Sequence, residues 1–302
     1  MSQIQKLLLI AHPDLHDTPA LDRATALAAA CGSSLHVLAY VEPFATFSLL
    51  ARHVQNDTRE SLLSAQRERW DKECRLQRGR GAGIDMTSSV AWTTDRRADL
   101  LQAIGELQPD LVIKDIQHEP ALKRSFVTPL DWHLLRECPR PLHLVHDACH
   151  PLPRRIVAAV DPADPRTLIS GINEQIISAA NGLALQCSAE LHLLYIYDCM
   201  PAYMANRGEG TVAWVDLIEE LRSSLHQSFA SLADQYGVPQ ERRHFLMGTP
   251  LRGISHFAQE NTMDIVVMGR VHRTGIDHLI GSTTEHILDQ IPSGVLAVGS
   301  ES

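Results

Sequence analysis

Residues 264–288 read DIVVMGRVHRTGIDHLIGSTTEHIL, and the reading of the whole chain turns on this stretch. The run 264–268, DIVVM, is short, apolar and rich in β-branched residues, as a buried strand is. Gly269 is expected to end it. A polar loop containing Gly275 and Gly281 follows, and Ser282 with Glu285 three residues later forms a capping-box signature ahead of Ile287, Leu288 and Ile291. A strand, a flexible turn and a helix N-terminus therefore succeed one another. The unsatisfied N–H groups and positive dipole end of such a terminus attract anions. Two readings stay open at this point: an ordinary αβ turn, or a loop that holds an anionic ligand.

Upstream, the same pattern occurs twice. Residues 6–11, KLLLIA, predict a first strand that is apolar on both faces, as parallel strands are. Thr18-Pro19 predicts a helix start, with Leu21, Ala24, Leu27, Ala28 and Cys31 on one face and Gly32 as the stop. Further strands are expected at 35–41, 86–90, 111–114 and 142–145, with helices between them, one of them opening at Thr128-Pro129. The pattern then restarts. Residues 155–160, RIVAAV, match 6–11, and Asp161-Pro162 stands where His12-Pro13 stood. Residues 191–196 match 35–40, and 264–268 and 295–298 match 111–114 and 142–145. Ile218, Leu221, Leu225, Phe229, Leu232 and Tyr236 form a 3.6-residue apolar face, and Thr249-Pro250 opens another helix. This is a tandem duplication of a βα unit, with domains at 1–148 and 149–302 joined near 147–154, DACHPLPR.

Alternating helices and near-continuous apolar strands predict two tandem α/β domains, each a doubly wound, five-stranded parallel sheet. Ligands of such sheets lie beyond the carboxyl ends of strands, where strand order reverses. In the second half that rule gathers Asp161, Ile196 and the loop 269–283 around one crevice. Asp161-Pro162 has a plainer reading beside this one, as an Asx turn after a strand. Arg270 and Arg273 are candidate phosphate contacts, with solvated loop arginines as the alternative.

Residues 268–284 resemble the signature of the universal stress protein superfamily, Gly-x2-Gly-x9-Gly-Ser/Thr. Gly269, Gly281 and Ser282 fit its ends. His272 stands at the second glycine, and eight residues separate it from Gly281. The resemblance implies an adenine nucleotide alpha hydrolase-like fold in which the loop wraps ATP phosphates, an aspartate meets the ribose and backbone at the second strand's end meets adenine. By that analogy the binding residues are Asp161, Ile196, Met268, Gly269, Arg270, His272, Gly281, Ser282 and Thr283, with ATP as ligand and Mg²⁺ accompanying it. The first half lacks this equipment: His12 replaces the aspartate and residues 114–135 contain no glycine. Residues 126–141, FVTPLDWHLLRECPRP, resemble the tandem, E-type subgroup of the family. That subgroup implies a stress-response protein whose halves form an internal pseudo-dimer through 142–145 and 295–298; pairing of two chains into a homodimer is left open. Trp132 and His133 either line a pocket or pack in the core.

Composition narrows the function classes. A net charge of −9 argues against a general nucleic-acid partner. No apolar run nears 18 residues, so no membrane span is expected. Residues 1–14 read as a first strand rather than a leader, and six scattered cysteines fit a reducing cytoplasm. His146, Asp147, Cys149 and His150 have zinc-ligand chemistry, with a solvated linker as the alternative. There is no Gly-x-Ser-x-Gly elbow, Walker lysine or Cys-x2-Cys, so weak ATP hydrolysis is the most catalysis the sequence suggests.

Overall fold

The computed structural model describes residues 4–12, 17–79, 83–116, 130–146, 150–198, 211–270, 291 and 293–299. The chain divides into two compact units, Ser2–Leu152 and Pro153–Ser302. In the first, strands β1 (Lys6–Ile10), β2 (Ser34–Val41), β3 (Met86–Trp92), β4 (Leu111–Asp115) and β5 (Leu142–Val145) alternate with helices α1 (Pro19–Cys31), α2 (Arg52–Gly79), α3 (Arg96–Leu107) and α4 (Leu130–Glu137). The strands pair in parallel in the order β3-β2-β1-β4-β5. The second unit has strands β6 (Arg155–Ala159), β7 (Glu190–Tyr197), β8 (Arg243–Met247), β9 (Ile265–Arg270) and β10 (Gly294–Gly299). Its described helices are α5 (Pro165–Ser170), α6 (Ile172–Cys187), α7 (Thr211–Gln235) and α8 (Pro250–Glu260). Its order, β10-β9-β6-β7-β8, is the same arrangement. The duplicated, doubly wound α/β architecture is thus as the sequence predicts.

Local chemistry explains the elements. Leu7, Leu8, Leu9 and Ile10 are all buried, as residues on both faces of a central parallel strand are. Thr18 Oγ1 accepts the Leu21 N–H at 3.3 Å, Pro19 sits in the first turn and Gly32 closes α1 in the left-handed region at φ 66°. Both halves begin with the same clamp. The Asp110 carboxylate accepts the N–H groups of Gln5 and Lys6 at 2.8 and 2.9 Å, and Asp264 accepts those of Arg154 and Arg155 at 2.7 and 2.9 Å. Each aspartate precedes the fourth strand of its unit and satisfies donors that enter the first. Asp264→Ala is expected to cost about 1–2 kcal/mol in urea denaturation, from two charge-assisted bonds at an exposed site.

Two sequence expectations are corrected, and two elements are added. Gly269 does not end its strand, which runs on to Arg270. The apolar face of α7 is covered only toward its C-terminal end: Phe229 and Ala233 are buried, whereas Leu221 is 37% exposed. Strand β8, RHFLM, and helix α6 lie where the sequence reading places no element; β8 is the end strand of its unit and carries polar residues at its start.

Candidate functional site

Strand order reverses between β1 and β4 in the first unit and between β6 and β9 in the second. The carboxyl ends of these strands are the candidate sites. In the second unit, Ala158 pairs with Val267 and Ala159 with Leu194. Continuing that register sets Asp161 level with Arg270 on one side and Ile196 on the other. Asp161, Ile196, Met268, Gly269 and Arg270 therefore share one sheet edge. His272, Gly281, Ser282 and Thr283 lie outside the described residues, as does the capped helix expected after them.

Each placed residue is held by its own neighbours. Asp161 Oδ1 accepts the N–H groups of Ala163 at 3.3 Å and Asp164 at 3.2 Å, so the Asx-turn reading is realised. The Asp161 backbone is gripped by Asn173, whose Oδ1 accepts its N–H at 3.0 Å and whose Nδ2 donates to its carbonyl at 2.9 Å. Asp161 as a residue stays exposed, yet desolvation raises its carboxyl pKa above the ordinary 3.8. Asp164 adds to the rise, while the two N–H donors and the Tyr195 hydroxyl oppose it. These hydrogen bonds show the carboxyl turned toward the chain, which reconciles the two observations. Ile196 points its side chain at α8, where a Cβ on Gly253 would come within 2.5 Å of Ile196 Cδ1.

Gly269 has a packing role the sequence does not reveal. A Cβ there would stand 2.6 Å from Ile172 Cγ1 and 3.2 Å from Ile176 Cδ1, so the missing side chain lets α6 close onto β9. Met268 is buried at 4% exposure. Arg270 is 3% exposed and is not the solvated arginine of the plainer reading. Its guanidinium lies over Gly299, whose hydrogen leaves room for it: a Cβ would be 3.4 Å from Nη2.

The first unit treats the equivalent place differently. Leu7 pairs with Leu111 and Ile156 with Ile265, so Lys114 corresponds to Met268 and Asp115 to Gly269. Asp115 Oδ1 accepts the Ala20 N–H in the first turn of α1 at 2.9 Å, while its buried Oδ2 has no hydrogen-bond partner among the described residues. On the opposite face of β4, Lys114 Nζ donates to the Asp115 carbonyl at 2.7 Å and lies 2.7 Å from Asp131 Oδ1. At that distance the attraction is charge on charge. Both side chains are at most 5% exposed. Asp131 sits in the first turn of α4, where its negative charge also suits the helix dipole. Of the neighbouring residues, Trp132 and His133 are only half-buried, and Asp131, Leu134 and Leu135 face inward instead.

For the zinc reading, no group of three or more candidate metal ligands occurs among the described residues. Asp147 and Cys149 lie outside those residues. His150 gives its carbonyl to Arg23 Nη2 at 3.0 Å, and that arginine is buried in α1. Among the described residues no helix is long and apolar enough to cross a membrane.

Two doubly wound units in tandem, each with a switch point at its first and fourth strands, define a class of duplicated, doubly wound α/β proteins. The universal stress protein family model matches residues 4–146 and 154–299, and the chain belongs to that family. It is 27% identical to universal stress protein E of Escherichia coli K12, over 99% of this chain and 95% of that protein. It is 26% identical to universal stress protein E of Salmonella typhi over the same shares. Among solved structures it is similar to a Pseudomonas aeruginosa PAO1 protein of unknown function, with a TM-score of 0.72, 25% identity and 99% and 93% of the two chains covered. An Archaeoglobus fulgidus universal stress protein shares the fold, with a TM-score of 0.63, 16% identity and coverage of 98% and 96%.

Proposed function

We propose that this stress-family protein binds one anionic small molecule per chain, ATP by preference, at the carboxyl edge of β6 and β9. The binding residues in this reading are Asp161, Ile196, Met268, Gly269, Arg270, His272, Gly281, Ser282 and Thr283, with Mg²⁺ arriving on the nucleotide through its phosphate oxygens. Charge contrast between the halves is the observation that carries it. At the first switch point Lys114 is answered by Asp131, and Asp115 fills the N-terminal turn of α1. At the second, the uncharged Met268 and Gly269 take these places, and the sequence supplies Gly281, Ser282 and Thr283 instead of a carboxylate. Binding in the cytoplasm then modulates a partner rather than driving turnover, because no general base or nucleophile is placed by the motifs.

Calorimetry with ATP–Mg²⁺ tests this. Wild type is expected to titrate with a stoichiometry of one, and Gly281→Asp to show no heat, because a carboxylate at the loop repels phosphate. A second reading, an interaction module that binds no nucleotide, is favoured by the packing role of Gly269 against α6. Flat titrations for both proteins would establish it in place of the first.

A further inference from the structure

On the other side of the second unit's sheet, two histidines touch. His192 Nδ1 lies 3.0 Å from His244 Nε2, the two rings meeting edge to edge with centroids 5.3 Å apart and planes 21° from parallel. His192 is on β7 and His244 on β8, the end strand of the unit. The first unit shows what this position requires. Lys6 pairs with Ser34 and Arg155 with Glu190, so His36 corresponds to His192. Val37 pairs with Ser88 and Leu193 with Arg243, so Ser89 corresponds to His244. His36 Nε2 bonds the Ser89 hydroxyl at 2.8 Å and its Nδ1 bonds the Thr87 hydroxyl at 2.8 Å. A hydroxyl is donor and acceptor at once, so that contact keeps its hydrogen bonds when His36 gains a proton, although burial lowers the pKa of His36. The second unit makes the equivalent bond from two titratable rings.

We infer that the His192–His244 contact is an acid-sensitive latch that holds the end strand β8 to β7. An N–H···N bond needs one ring nitrogen without a proton. The pair therefore accepts one proton and keeps its bond, but a second puts two cations in contact with no acceptor between them. The surroundings favour the first proton on His192. Its Nε2 lies 3.7 Å from the Glu190 carboxylate, which is itself approached by Arg155 at 3.7 Å and Arg242 at 3.8 Å. From α8, the ring of Phe257 covers His244 at 4.5 Å and offers no acceptor. The charged residues of α8, Arg252, His256 and Glu260, are exposed, and His256 pairs with Glu260 at 3.2 Å. Nothing described near His244 stabilises its cation. Burial first and His192 second lower its pKa from 6.5 to about 4, and burial lowers that of His192 as well. A lowered folded-state pKa means that the unfolded or detached strand binds more protons below pH 6.5. Stability is present above that pH and is lost as the pH falls toward 4.

Hydrogen exchange of the β8 amides, corrected for intrinsic rates, reads the latch. In wild type, opening is expected to rise about tenfold between pH 7 and pH 5, one pH unit of protonation being worth one decade. In His244→Ser, which copies the first unit, the rise is expected to be under about twofold. An equal acid response in His244→Ser, or none in wild type, would overturn the inference. Should the variant not fold, wild-type imidazole titration by NMR decides the matter: two independent transitions near 6.5 overturn it, whereas one ring staying neutral down to about pH 4 sustains it.

Discussion

Lys114→Met is expected to lower the unfolding free energy by about 3–5 kcal/mol, because it removes the buried cation 2.7 Å from the Asp131 carboxylate. The double variant Lys114→Met/Asp131→Leu should return to wild-type stability or exceed it. The logic is desolvation. Two charges taken from water are costly, and their attraction at 2.7 Å offsets that cost only while both are present. Apolar replacements remove the cost and the attraction together. Urea denaturation of the two variants measures this, provided that the slope with denaturant stays constant. A single variant as stable as wild type would mean that the pair is solvated, and that the first switch point is not filled in the manner described.

Gly269→Ala is expected to cost about 1–3 kcal/mol, the usual range for a methyl group forced into a packed core. The added Cβ would lie 2.6 Å from Ile172 Cγ1, an atom close to its own backbone and with little freedom to retreat. Helix α6 must then move off β9, and it also carries Asn173, which grips Asp161. Ligand affinity is therefore expected to fall with stability, through displacement of Asp161. Thermal unfolding and calorimetry on one preparation separate the two effects. Lost binding at unchanged stability would assign Gly269 to ligand approach alone.

The sequence carried most of the architecture because parallel strands are apolar on both faces and stand out as runs. KLLLI, LVIKD, LHLV, RIVAA and GVLAVG are all strands of the structure. Strand β8 lacks that signature, since it sits at the end of the order and leaves Leu246 and Met247 41% and 71% exposed. Placement of Asp161, Ile196 and Arg270 at one edge was legible from topology alone. Their contacts were not. Nothing in DIVVMGR says that its glycine answers Ile172, which lies almost a hundred residues earlier. Nothing in the sequence links Lys114 to Asp131, and only the fold brings them together away from water. The histidine pair left one trace: His36 and His192 fall at the same point of the repeat.

Native mass spectrometry of freshly purified protein bears most directly on the central claim, that the second half alone keeps a place for an anion. Wild type is expected to carry a single added ligand mass per chain, Lys114→Met/Asp131→Leu the same, and Gly281→Asp none. Two added masses per wild-type chain, or one that survives Gly281→Asp, would contradict it.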